Sequence, residues 1–184
     1  LETRLPGILN FTTRRVASLG TSEARDLIAT ALGGLRGAAK QRDMLAGLAA
    51  ALRGQRSAPM PNGWDAVETK LGASSNPEVR TLTQTLSLTF GSQKALASLR
   101  STLSDRSAAP GARRAALDSL AGVKDAELPA MLRSLLGDES MRGAAIRALG
   151  GSNDPQTPKA LLDVYARLDG PQKRDALNTL ASRP

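Results

Sequence analysis

The stretches 112–132 (ARRAALDSLAGVKDAELPAML) and 141–161 (MRGAAIRALGGSNDPQTPKAL) align position for position without a gap. Eight positions are identical: Arg113/Arg142, Ala115/Ala144, Ala116/Ala145, Leu120/Leu149, Gly122/Gly151, Asp125/Asp154, Pro129/Pro158 and Leu132/Leu161, with Leu117 opposite Ile146. A unit this short cannot bury its own apolar face and gains a core only by stacking on copies of itself. A period of about 30 residues is therefore the signature of stacked helical hairpins.

Composition agrees. Ala (30) and Leu (29) supply most of the apolar residues, whereas Val and Ile together number eight. Helices favour the first pair and strands the second, so the chain reads as all-α. Within the second copy, Ala145, Ile146 and Leu149 form a stripe at helical spacing. Gly150-Gly151 is read as a left-handed helix end, Asp154 as the cap of the next helix and Pro155 as its first residue. Leu161, Leu162, Tyr165 and Leu168 are expected to be that helix's buried stripe. In the first copy Asp125 is the cap, and Leu128, Leu132, Leu135 and Leu136 the stripe.

The pattern extends both ways. Downstream, Pro171-Gln172-Lys173-Arg174 opens a further helix with Leu177 and Leu180 as its stripe; upstream, Pro77-Glu78-Val79-Arg80 opens one with Leu82, Leu86 and Phe90 inside. Residues 77–184 thus read as about three and a half hairpins, and residues 1–76 as a less regular helical part or a cap, in one continuous domain. Helices are expected near 8–19, 22–36, 39–53 and 64–71, with Gly54–Gly63 as the best loop. The final unit has a first helix but no second, which reads as a segment excised from a longer chain, with Leu177 and Leu180 partly uncovered.

The string Val/Met-Arg-x-x-Ala-Ile/Leu-x-x-Leu-Gly followed by Asp-Pro and a Leu-rich helix, carried by Met141 to Gly150, Asp154-Pro155 and Leu161-Leu162, resembles HEAT-like repeats. The fold class expected is an all-α, right-handed α-solenoid of HEAT-like helical hairpins. Two further runs, Lys173 through Pro184 and Arg15-Val16-Ala17-Ser18-Leu19-Gly20 continuing through Gly47-Leu48 to Arg53-Gly54, look like the helical-repeat region of large secreted bacterial membrane-bound dehydrogenases. In that family a propeller-like dehydrogenase module precedes the repeats and a haem-binding Cys-x-x-Cys-His module follows. This chain has neither, so the resemblance carries over no catalytic or haem-ligating residue. It implies a connecting or docking region and a periplasmic or exported location.

The chain has no His and no Cys. That excludes a Ser-His-Asp triad, a Cys nucleophile, a disulfide and a zinc site of the usual ligands. Neither a cofactor nor a metal is expected, and the chain reads as a non-catalytic scaffold whose partners are another protein or neighbouring modules of its parent. No apolar run approaches the roughly 20 residues that span a bilayer, so membrane insertion is not expected.

The net charge is +8, from 25 basic against 17 acidic residues, and no block of five like charges occurs. A solvated surface is the favoured reading of this excess, with weak nucleic-acid binding as the alternative. The second function class is therefore a basic HEAT-like domain similar in build to the alkyl-base DNA glycosylases. Its aromatic-and-acidic pocket finds little material in Phe11, Trp64, Phe90 and Tyr165. A lyase-type or chaperone-like repeat protein is a third.

Smaller motifs read as structure. Gly33-Gly34-Leu35-Arg36-Gly37 lacks the preceding strand and the Gly-Lys-Ser/Thr ending of a phosphate loop and is read as a helix end or a close helix contact. Asp138-Glu139 and Asp125 with Glu127 stand at helix starts, where carboxylates complement the dipole. Asn10-Phe11-Thr12 is a chance sequon. One series calls for an explanation: Arg80, Arg113, Arg142 and Arg174 fall near first-helix starts, where a cation works against the dipole. The favoured reading is a structural ladder in which these Arg pair with acids of adjacent turns, such as Asp138, Asp154 or Asp169, with Asp125 also among the candidates; the alternative is a row of guanidiniums facing phosphates.

Overall fold

The computed structural model describes residues 7–55 and 57–182, and among these no strand occurs. The helices are α1 (Ile8–Ala17), α2 (Ser22–Gly34), α3 (Ala38–Ala51), α4 (Trp64–Gly72), α5 (Pro77–Thr89), α6 (Gln93–Ser104), α7 (Pro110–Gly122), α8 (Leu128–Leu135), α9 (Arg142–Gly150), α10 (Thr157–Val164) and α11 (Gly170–Ala181), with a 3-10 turn at Tyr165–Arg167 after α10. The fold is all-α and built from helical hairpins. It divides into two compact units between Ala95 and Leu96, inside α6.

In the first unit the local chemistry sets the helix starts. The Thr21 hydroxyl accepts the Ala24 N–H at 3.2 Å, and the Asn76 side chain accepts those of Glu78 and Val79, with Pro77 following where no donor is needed. The core joins Leu32, Leu45, Leu48, Trp64, Val67, Leu71, Val79 and Leu86. Trp64 is fully buried, donates its indole N–H to Ser87 Oγ at 2.9 Å and meets Phe90 edge to face with centroids 4.8 Å apart. Through these contacts α5 packs with α4, even though its sequence carries the start pattern of a repeat. The Gly54–Gly63 loop is tied down by Ala58 N–H to Thr89 O and by Asn62 to the Asp26 carboxylate. The Gly33–Gly37 stretch is a helix end: α2 stops at Gly34, and the carbonyls of Gly33 and Leu35 are satisfied by Lys70 Nζ and Gln41 Nε2.

In the second unit α8 packs on α9, α10 on α8 and α11 on α9. Leu120, Leu132, Met141, Ala145, Ile146, Leu149 and Leu161 are essentially inaccessible. Two expectations are corrected here. Leu162 is 63% exposed, because α10 is short and buries Thr157 and Leu161, and the chain then turns tightly to bury Leu168 instead. Gly151 has φ −86°, so α9 does not end in a left-handed residue; Gly150 instead lets α11 approach, since a Cβ there would stand 3.3 Å from Thr179 Oγ1. In α11 the side chains buried are Ala176 and Thr179, whose hydroxyl donates to Ile146 O at 3.2 Å, and Leu177, 52% exposed, and Leu180, half-buried, are partly uncovered as expected. The helix is entered through a capping box of Asp169 and Gln172 with Pro171 inside it.

Candidate functional site

The charged residues of the second unit form a connected pattern in which each hairpin is fastened to the next. Arg100 of α6 donates through Nε to Asp125 Oδ2 at 3.0 Å, through Nη2 to Asp125 Oδ1, and through Nη1 to Glu127 at 2.7 Å. Arg133 of α8 pairs with Asp154. Both aspartates stand in the turn before the next second helix, where the Leu128 N–H donates to Asp125 O and the Thr157 N–H to Asp154 O, each at 3.2 Å. The regular helices begin only at Leu128 and Thr157, so the carboxylates expected to cap them are freed to take an arginine. Burial pushes the Asp154 carboxyl up, but Arg133 and the Thr157 hydroxyl more than undo this and hold it below the usual carboxylate range.

Of the first-helix arginines, Arg113 alone meets an acid of an adjacent turn, Asp138, among the described residues, and three of the four take backbone carbonyls before their own helix. Arg113 Nε donates to Leu103 O at 3.0 Å, Arg142 Nε to Leu136 O at 2.8 Å, and Arg80 Nη1 to Ser74 O and Ser75 O at 2.7 and 3.1 Å. Leu103 lies at the end of α6, and Leu136 is the C-cap of α8. At Arg113 and Arg142 a guanidinium at a helix start thus sits against the carbonyl end of the helix before it, where the dipole welcomes a cation, while Arg80 takes carbonyls of the turn just before its own helix. That resolves the conflict with the dipole of the helix each arginine belongs to. Arg113 also reaches Asp138 and Ser140 in the turn between α8 and α9, so it spans from the end of α6 to the turn that follows the α7–α8 hairpin. Arg174 is exposed and forms no ion pair among the described residues. Arg147, absent from the expected set, pairs with Asp175 at 2.8 Å.

Two inter-hairpin turns share a motif that the ungapped alignment skips. In Leu103-Ser104-Asp105-Arg106-Ser107 and Leu136-Gly137-Asp138-Glu139-Ser140 the aspartate Oδ1 accepts both the N–H and the hydroxyl of the serine two residues on, Ser107 or Ser140. The Ser140 hydroxyl above all, with Arg113 working alongside it against burial, brings the Asp138 carboxyl down to about 2.

In the first unit Glu68 is buried and accepts a hydrogen bond from Ser92 Oγ, which in turn accepts the Ala95 N–H at the start of α6. A groove of about 440 Å³ runs between α3 and α5, lined by Arg42, Ala46, Pro77, Glu78, Thr81 and Leu82. Arg42 and Glu78 pair across it at 3.6 Å. Among the described residues no three carboxylates gather to hold a metal ion, and no helix is long and apolar enough to cross a membrane. What the second unit's arrangement does chemically is fix the spacing of its helices.

Residues 105–181 match the family model for HEAT repeats. No curated protein and no solved structure matches the chain. The matched stretch begins at the first Asp-x-Ser turn and ends with α11. Together with the helical hairpins it puts the fold in the all-α solenoid class with HEAT-like repeats.

Proposed function

We propose that this chain is a non-catalytic helical-repeat scaffold that holds another protein, or neighbouring modules of its parent chain, on its helix faces. The observation that carries the reading is where the carboxylates of the HEAT-matched stretch go. Asp125, Asp138, Asp154 and Asp175 each take an arginine, Asp105 closes a turn, and Asp169 caps a helix. Groups engaged in this way support a rigid stack rather than acid–base work. Stacked repeats work by offering extended surfaces to partners. The runs Lys173 through Pro184 and Arg15 through Gly54 extend the reading to a connecting region of a large exported bacterial protein with a haem-binding module. Its full reading frame is then expected to hold an export signal upstream and Cys-x-x-Cys-His downstream.

Cross-linking within the parent protein tests the scaffold reading. Lys124, Lys159 and Lys173 are expected to cross-link to one other protein or module. Substrate turnover by the chain alone, lost on replacing a carboxylate, would overturn it.

A basic nucleic-acid-binding domain is the second reading. It is favoured by Arg106, Arg114, Lys124 and Arg167, all exposed and without ion pairs among the described residues. Labelled duplex titrated at about 150 mM salt separates the two. A scaffold binds at roughly micromolar Kd or weaker, whereas affinity on the order of a hundredfold tighter, or preference for damaged DNA, favours the second reading.

A further inference from the structure

The first helices of the second unit superpose in sequence as Ala116-Leu117-x-x-Leu120, Ala145-Ile146-x-x-Leu149 and Ala176-Leu177-x-x-Leu180. The alanine is buried in all three. The next residue is not: Leu117 is 4% exposed, Ile146 0% and Leu177 52%. A parallel change occurs on the second helices. Carried one position past Leu132/Leu161, the repeat alignment sets Leu162 of α10 opposite Arg133 of α8, the position from which Arg133 reaches the turn of the following hairpin. By register, then, Leu162 faces the place where a following helix would lie, and it is 63% exposed. An ionic rung has been replaced there by an apolar one.

The two leucines belong to one surface. Tyr165 follows Leu162 by one helical turn, Lys173 precedes Leu177 by one, and Lys173 Nζ lies 5.7 Å from the centre of the Tyr165 ring. Around Leu177 the outward positions of α11 are Lys173, Arg174, Leu180 and Ala181, and none is acidic; Asp175 lies on the far side with Arg147. A second copy of this face would set Lys173 and Arg174 against their like.

We propose that the face formed by Leu162, Tyr165, Lys173, Arg174 and Leu177 is the docking surface for an acidic amphipathic helix, seated as a further helix of the stack would be. The inference rests on the scaffold reading and names the chemistry of its partner. Leucines of that helix cover Leu162 and Leu177, and its flanking carboxylates meet Lys173 and Arg174.

The probe is a synthetic helix with leucines at i, i+3, i+4 and i+7 and glutamates on its flanks, compared by fluorescence anisotropy with the same helix flanked by lysines. The glutamate form is expected to bind, and to weaken as salt rises from about 50 to 200 mM. Leu162→Ser and Leu177→Ser are each expected to lower its affinity about tenfold with unchanged circular dichroism, since both side chains are exposed. Arg174→Glu is expected to reverse the preference between the two helices. Equal affinity for the two helices, or unchanged binding by both serine variants, overturns the proposal. So does a dimer in sedimentation that Leu177→Ser abolishes, because the occupant is then a second copy. A parent partner that cross-links but ignores both leucines refutes this surface and leaves the scaffold reading standing. Binding of the glutamate helix by a chain that turns over a substrate refutes the scaffold reading alone.

Discussion

Arg113 Nη2 stands 2.8 Å from Asp138 Oδ2, with 2% of one side chain and 10% of the other exposed. This is an ion pair rather than an aligned hydrogen bond, since Nη2 has no acceptor in good geometry; the aligned bonds run from Nε to Leu103 O and from Nη1 to Ser140 Oγ. One guanidinium therefore ties together the two ends of the α7–α8 hairpin.

Truncating that side chain leaves a shielded carboxylate and a helix-end carbonyl without their cation. Arg113→Ala is expected to lower stability by about 3 kcal/mol, read as a shift of the urea midpoint. Arg113→Lys recovers only part, because an ammonium cannot fork to both turns. A midpoint within about 0.5 kcal/mol of the unsubstituted chain, the range of an ordinary surface change, would show that the turns hold without it.

Asp138 also makes stability depend on pH in a defined direction. Its carboxyl titrates at about 2 in the folded chain against an ordinary 3.8. The unfolded chain therefore binds the proton first as pH falls. The contribution is complete above about pH 4 and is lost progressively as pH falls towards 2, and the difference is worth about 2 kcal/mol. Asp138→Asn removes this dependence. Stability of the two chains measured between pH 5 and pH 2 is expected to converge; parallel curves would mean that other carboxylates carry the acid sensitivity.

The ionic rungs differ in burial and so in worth. Asp125 is 2% exposed and receives Arg100 through two nitrogens, whereas Arg147 and Asp175 are 55% and 29% exposed. Arg100→Met strands a carboxylate away from water and is expected to cost about 3 kcal/mol. Arg147→Met breaks a pair that water already screens and is expected to cost under about 1 kcal/mol. Thermal unfolding of the two variants side by side checks the order. An Arg147→Met variant as damaged as Arg100→Met would mean that side-chain packing, not charge, sets the cost.

The helices and their stacking are legible in the sequence because they depend on periodicity. Ala145, Ile146 and Leu149 repeat Ala116, Leu117 and Leu120 at helical spacing, and Pro77 and Pro171 announce their helices locally. The partners of the charges are not legible. The step from Arg100 to Arg133 is longer than the step from Asp125 to Asp154, so the rungs drift out of the alignment that reveals the repeat. The drift comes from the longer turn between Leu103 and Pro110. That length change also hides the two Asp-x-Ser turns from an ungapped comparison. Periodicity misplaces Leu162 because it says which residues share a face but not where a helix stops. Only the tight turn at Tyr165–Arg167 gives the buried place to Leu168.

Two glycines separate close packing from mere tolerance. A Cβ on Gly47 would collide with Asn10 O and lie 3.0 Å from Thr13 Cβ, so α1 and α3 touch through backbone at this point. A carbonyl cannot rotate out of the way, and Gly47→Ala forces the helices apart. The gain in helix propensity, at most about 1 kcal/mol, does not offset overpacking that costs on the order of 1–3 kcal/mol, and the loss of the tightly packed backbone contact adds to it. At Gly150 the nearest atom is Thr179 Oγ1 at 3.3 Å, the tip of a side chain whose bond to Ile146 O tolerates a small shift. Gly150 closes α9, where propensity counts for less, so Gly150→Ala is expected to lie within about 1 kcal/mol of neutral. Denaturation midpoints should therefore fall clearly for Gly47→Ala and little for Gly150→Ala. The reverse order would mean that α1 yields to α3 more easily than α11 yields to α9.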